Sequence, residues 1–238
     1  MLYFVAHSSW LSRISPIAGI KKIKIIRAIG EIRVGYAVTL IFKIQTMNPR
    51  VKNIQKEVLS NNWYTLRKIT YEYQKKNGVW ETQQREAYDR GNGAAILLYN
   101  KVQKTVILTS QFRMPTYING NETGMMIEAC AGLLDEDNPE DCIRRETEEE
   151  TGYIVSDIHK VFEVYMSPGS VTEILYLFVA EYAKEQKITE GGGLEHEEED
   201  IDVLELLFEK ALEMVKTGEI KDAKTMLLLQ YVQINQLV

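Results

Sequence analysis

Cysteine is nearly absent from this 238-residue chain, which has only Cys130 and Cys142. Their spacing suits neither a metal site nor a disulfide framework, so they read as reduced thiols of a cytoplasmic protein. Long hydrophobic runs are missing too. No window is apolar enough for long enough to span a bilayer, and no membrane partner is expected. Positive charge is in deficit, with 28 Lys and Arg against 34 Asp and Glu and a net charge of −6. A nucleic-acid partner needs a basic surface, so none is expected. Internal repeats are lacking. With 45% hydrophobic and 26% charged residues, the chain can bury a sizeable core in one or two soluble domains.

The charge is unevenly spread. Residues 1–46 carry seven Lys or Arg and the single acid Glu31, a net of +6, which leaves −12 for the remainder. Such a break marks a boundary. The basic segment reads as a targeting or membrane-surface arm, as an added strand–helix unit, or as upstream sequence outside the working protein. Charges interrupt each of its apolar runs, and no small-residue cleavage site gives it a signal-peptide layout. The third reading is adopted here: 1–46 is a basic extension, with Met47 as the working start.

Beyond it, 63–75 and 80–88 are rich in aromatic and β-branched residues and flank Lys76-Asn77-Gly78, which predicts a hairpin. A β-hairpin domain is therefore expected over 47–90. Two apolar runs, Ala94–Tyr99 and Thr105–Leu108, predict a second hairpin. Further strands are expected at Met126–Ala129, Lys160–Met166, Ile174–Glu181 and Asp202–Leu207, then helices at Glu209–Lys216 and Asp222–Asn235.

The most telling stretch is 131–153, AGLLDEDNPEDCIRRETEEETGY. Asn138 suits an N-cap, Pro139 the first helical position, and Glu140 and Asp141 the positive end of the helix dipole. Ile143 and Thr147 form a face that can pack on a sheet, and Gly152 supplies a left-handed stop. Glu146, Glu149 and Glu150 share another face, at i, i+3 and i+4. Like charges there repel by a few tenths of a kcal/mol per exposed pair, so the helix gains nothing from them. Either the face is solvated and acidic, or it holds a hard divalent cation, which takes carboxylate and phosphate oxygens.

The order around these glutamates carries a resemblance. Arg145-Glu146-Thr147-Glu148-Glu149-Glu150-Thr151-Gly152-Tyr153 fits R-E-U-x-E-E-x-G-U, U being aliphatic, the second half of the Nudix box. The segment is similar to the Nudix hydrolase family, which cleaves nucleoside diphosphates linked to another moiety. Two departures stand out. Gly132 to Arg145 reads G-x4-D-x7-R, one residue short and with Asp137 in the usual glutamate position. Thr147 replaces the aliphatic residue. Outside the box, Arg85-Glu86, Gln111-Phe112-Arg113, Met166-Ser167-Pro168-Gly169 and the acidic loop Gly191–Asp200 resemble the nucleoside-diphosphate-sugar and ADP-ribose pyrophosphatase branch. Pro168, fifteen residues after Tyr153, has that branch's spacing. The likeness is nearest to its members that act on GDP-mannose. No coenzyme A signature is found.

The resemblance implies an α/β fold, the Nudix α/β/α sandwich with a mixed sheet over 91–238, preceded by a small N-terminal β domain. It implies Mg2+-dependent hydrolysis of a sugar nucleotide, GDP-mannose to GMP and mannose 1-phosphate. Alternatives on the same scaffold are ADP-ribose hydrolysis and a sensor that binds without cleaving. Two or more Mg2+ per site are implied, or Mn2+ in their place. Glu146, Glu150 and Glu199 are the implied ligands, with the carbonyl of Ala131. Glu149 is either a third ligand or the ion-pair partner of Arg145. Glu199 matches the family's late-loop glutamate, which binds metal or acts as base. The loop is two residues longer here than in the relative, so Glu198 competes with it. The triplet Gly191–Gly193 suggests a hinge.

For substrate, the resemblance implies Ala131, Gly132 and Leu133 as binding residues, with Glu173 and Lys224 on the sugar and phosphate side. Arg113 is a phosphate clamp or a strand-end ion pair. Gln84, Arg85 and Glu86 reach the nucleotide, Gln84 standing where the relative has lysine. Trp63 stacks on the base, or else is a core or interface aromatic. A homodimer is implied, and Trp63, Tyr64, Tyr71, Tyr73 and Trp80 give a small hairpin more aromatic surface than it can bury alone.

Overall fold

The computed structural model describes residues 48–194 and 199–238. The segment 1–46 and the expected start at Met47 lie outside the described residues, as does Glu198.

The described residues open with three antiparallel strands in sequence order: β1 (Val51–Asn61), β2 (Thr65–Gln74) and β3 (Trp80–Asp89). A two-stranded hairpin was the expectation. The added strand, β1, is mostly exposed, and its register against β2 shifts between Lys52 and Gln55 and between Val58 and Ser60. Its polar residues and bulges erase the alternation that marks a strand. Trp63 falls in the β1–β2 turn rather than in a strand.

The second sheet has seven strands. After β4 (Gly93–Asn100) and β5 (Thr105–Phe112) come a short helix, α1 (Met114–Ile118), then β6 (Met125–Glu128) and β7 (Cys130–Leu133). Next is the box helix α2 (Pro139–Glu146), continued by a wider π-helical turn over Thr147–Thr151. Strands β8 (Ile158–Val164), β9 (Leu175–Glu181) and β10 (Asp202–Leu207) precede helices α3 (Phe208–Thr217) and α4 (Ala223–Ile234). The order is β10-β5-β4-β9-β8, with β6 paired to β5 and β7 to β4, and β4 runs parallel to β9. The single strand expected at Met126–Ala129 is instead two. At Ala129 the chain leaves β5 and pairs with β4, and its N–H donates to Thr225 Oγ1 at 2.7 Å.

Strand β4 is buried along its whole length, and its side chains alternate between two cores. Ala94, Ile96 and Leu98 pack with Cys142, Ile143 and Phe178 on the α2 side. Ala95, Leu97 and Tyr99 pack with Phe208, Leu228 and Leu229 on the α3/α4 side. A mixed sheet covered on both faces is the α/β/α sandwich that was expected. Among the described residues no helix is long and apolar enough to cross a membrane.

Candidate active site

The box helix forms for the reasons its sequence suggests. The Asn138 side chain accepts from the N–H groups of Glu140 and Asp141, which satisfies two orphan donors and is worth about 1 kcal/mol. Ile143 and Thr147 are fully buried against the sheet. Thr147 stands where the family has an aliphatic residue, and its hydroxyl donates to the Ile143 carbonyl; Thr151 does the same to Thr147. Such back-bonding loosens a helix, and the turn here is the π turn. Gly152 ends it at φ 78°.

Glu146 and Glu150 face β7. The carboxyl group of Glu146 fills the space that a Cβ on Gly132 would take. Glu150 is 1% exposed and accepts from the Ala131 N–H at 3.3 Å. Its carboxyl is pushed up to about 8 by burial first, and by repulsion from Glu146 and Glu199; hydrogen bonds from Cys130 and Ala131 oppose the rise. Glu149 stands apart from this pair. Arg145 sits among three acids, with Nη1 at 3.0 Å from both Glu146 and Glu149 and Nε at 3.6 Å from Asp137. Burial works against its charge, but the two glutamates more than restore it.

The triplet expected to serve as a hinge is docked on the box helix in this structure. Gly192 and Gly193 donate to the carbonyls of Glu150 and Glu149 at 2.9 and 3.1 Å, capping the end of the box helix. All three glycines have positive φ, and a Cβ on Gly191 would collide with the Glu150 carbonyl. Glycine is required by this close approach. Further along, Glu199 accepts from the Leu194 N–H at 3.0 Å, and its charge is felt at Glu150.

Arg113 and Lys224 meet on one residue that the sequence reading missed. Glu128 is buried, with Oε2 at 2.8 Å from Arg113 Nε and Oε1 at 2.9 Å from Lys224 Nζ. Lys224 also pairs with Asp222 at 3.0 Å. The signal was present: Glu128 is the one charge in the run Met125-Met126-Ile127-Glu128-Ala129-Cys130-Ala131. Glu173 lies 3.4 Å from Arg90. Leu133 is half-buried, and its carbonyl accepts from the Cys142 thiol.

Trp63, Gln84, Arg85 and Glu86 are exposed on the three-stranded sheet, Trp63 by 79%. Among the described residues no hydrogen bond or ion pair joins them to Glu149, Glu150 or Glu199. Both cysteines are free and buried, and burial pushes the Cys142 thiol up to about 12.

The donor set fits a hard cation. It consists of buried carboxylate oxygens, with Glu146 lying against Gly132 where a Cβ would displace it. No group of three or more His, Cys, Asp or Glu side chains is gathered for a metal among the described residues. The fit therefore rests on Glu146, Glu150 and the charge of Glu199.

Comparison with known proteins gives the family. Residues 89–229 match the NUDIX domain family, and residues 50–88 match the GDP-mannose pyrophosphatase NudK N-terminal domain. The chain is 55% identical over 192 residues to the GDP-mannose pyrophosphatase of Escherichia coli (strain K12), which is 81% of this chain and 100% of the relative. It is equally similar to the GDP-mannose pyrophosphatase of Shigella dysenteriae serotype 1 (strain Sd197) over the same shares. The chain belongs to the Nudix family.

Proposed function

We propose that this chain hydrolyses the pyrophosphate bond of GDP-mannose, giving GMP and mannose 1-phosphate. The observation that carries this reading is the 55% identity along the full length of GDP-mannose pyrophosphatases, joined to a buried glutamate pair of the kind the chemistry needs. A pyrophosphate diester is inert because its oxygens repel a nucleophile. Glu146, Glu150 and Glu199, with the carbonyl of Ala131, are the residues that would hold Mg2+, two or more ions per site or Mn2+ in their place. When bound, the metal neutralises phosphate charge and acidifies a water.

The chain's own residues do the rest. Glu199, or Glu198 beside it, accepts the proton of the attacking water. Arg113 binds a phosphate through its guanidinium fork, and Lys224 adds a point charge. Arg145 holds Glu146 and Glu149 in place from behind. Gly132 lets Glu146 lie against the strand.

A homodimer completes the site in this reading: the three-stranded sheet of one protomer brings Trp63, Arg85 and Glu86 to its partner's nucleotide. Its surplus apolar surface supports this, since Ile54, Val58, Leu59, Trp63 and Trp80 are all exposed on one small sheet. The protein works in the cytoplasm on a small molecule, without nucleic acid or membrane. Its working part starts at Met47 in this reading, and Met47–Val238 is 192 residues long, the same length as the match to the relatives.

The test is turnover of the purified protein with Mg2+ across GDP-mannose, ADP-ribose and other sugar nucleotides. GDP-mannose should give the highest kcat/KM, with GMP and mannose 1-phosphate as products. Preference for ADP-ribose would overturn the substrate, and tight binding without turnover would overturn hydrolysis.

A further inference from the structure

Glu128 is ionised, buried, and bonded by its two oxygens to two different cations. Neither cation is used up by it. Arg113 gives Glu128 only its Nε, and its Nη1 and Nη2 make no hydrogen bond among the described residues. Lys224 donates to Glu128 and forms an ion pair with Asp222, and no other partner is found for it among the described residues. The Arg113 side chain is 40% exposed, whereas those of Lys224 and Glu128 are only 11% and 8% exposed. Arg113 therefore keeps exposed donors for an incoming anion and Lys224 adds its charge from a nearly covered position, while Glu128 fixes where both stand.

The anchor is itself braced. Asp222 caps α4 by accepting from the Thr225 N–H, and the Thr225 hydroxyl accepts from Ala129, the residue after Glu128. The start of α4 thus grips the β6–β7 bend by side chain and backbone together. Two residues later that bend delivers Ala131 and Gly132 to Glu150 and Glu146.

We propose that Glu128 is a positioning residue for the pyrophosphate: it holds Arg113 and Lys224 at a fixed separation, so that the substrate's two phosphates meet a preset pair of cations. This rests on the reading of Arg113 and Lys224 as phosphate-side groups. Long cationic side chains lose rotamer freedom when they bind, and a buried carboxylate removes that loss beforehand. It also keeps two like charges together in the substrate's absence.

The experiment is a mutant cycle read in steady-state kinetics. Glu128→Gln, nearly isosteric, should lower kcat/KM by about 10- to 100-fold, chiefly through KM. In a Lys224→Met background the same change should lower it by a smaller factor, and in the Arg113→Gln/Lys224→Met background by less than about twofold. Glu128→Asp retains the charge but shortens the reach; it should fold as wild type and still raise KM. That variant keeps the test open if Glu128→Gln does not fold. A full penalty in the background lacking both cations would overturn the proposal, as would wild-type KM in Glu128→Asp. If the wild type turns over no sugar nucleotide, GDP affinity by calorimetry in EDTA replaces KM. An unchanged Kd in Glu128→Asp then refutes the role of Glu128 separately from the reaction.

Discussion

A side chain at Gly132 and the carboxylate of Glu146 compete for one space: a Cβ built on Gly132 would overlap Cγ, Cδ and Oε1 of Glu146. The glycine is not there for backbone freedom, since its φ is not in the left-handed region. It is there so that a helix carboxylate can lie flat on a strand. What must yield on substitution is the far end of a flexible side chain, which is cheap for the fold and expensive for a metal ligand.

Gly132→Ala should therefore keep the melting temperature within a few degrees of wild type while turnover falls by about 10²-fold, the usual effect of an ångström-scale misplacement in a site. Thermal melting and kcat measured on one preparation decide it. Wild-type turnover would mean that Glu146 has no catalytic duty in that position.

Glu150→Gln should separate stability from activity in the same way. Glu150 is almost fully buried among like charges, which pushes its carboxyl up to about 8, so a neutral amide resembles the form it takes at neutral pH without metal and should not lower the melting temperature in EDTA. Turnover should fall by at least about 10²-fold, because a group that would hold the ions is gone. Turnover within about threefold of wild type at saturating Mg2+ sinks the role given to Glu150.

The late loop has a similar test. Glu199→Gln should reduce kcat by about 10²- to 10⁴-fold, as losing a base or ligand does, and Glu197→Gln by far less. If Glu198→Gln is the damaging change, the register is displaced by one residue. The docking of Gly192 and Gly193 on the box helix puts Glu199 within electrostatic reach of Glu150.

Acid stability should report Glu128. Burial pushes its carboxyl up, but Lys224 and Arg113 pull harder and hold it below its ordinary value of 4.5. A carboxyl lowered in the folded state contributes stability that is present above its unfolded value and is lost as pH falls through the folded one. Melting temperature should thus drop from about pH 5 downward in wild type, and Glu128→Gln should show a flatter profile over that window. Parallel profiles would show that the ion pairs contribute nothing net.

The parts legible in the sequence are those where local chemistry and tertiary role coincide. Asn138, Pro139, Ile143 and Gly152 cap, start, bury and stop one helix, and each does so from its own residue type. The seven-stranded sheet could be read because β4 and β9 are buried on both faces and so are apolar almost throughout. Other features are set by partners distant in sequence. β1 is held by its pairing to β2 rather than by its own pattern. The break at Ala129 depends on Thr225, and Glu128 is explained only by Arg113 and Lys224. The close contact of the glycine triplet with two helix carbonyls is likewise invisible in its own sequence.

A chain beginning at Met47 should keep the kcat, KM and oligomeric state of the full chain. Residues 1–46 carry +6 against −12 for the rest, and every side chain assigned to the chemistry above lies beyond them. The relatives match over 192 residues, the length from Met47 to Val238. Light scattering should give a dimer mass for both chains, because the exposed Trp63 and Trp80 belong to the part retained. A monomer with full activity would remove the shared-site reading. Loss of folding or activity on truncation would make 1–46 an integral element. Retained activity combined with release from a membrane fraction would make it a surface anchor drawn to anionic lipid, for which seven basic residues at about 1 kcal/mol each near the surface would suffice. Unchanged kinetics, mass and distribution are the results that agree with Met47 as the working start.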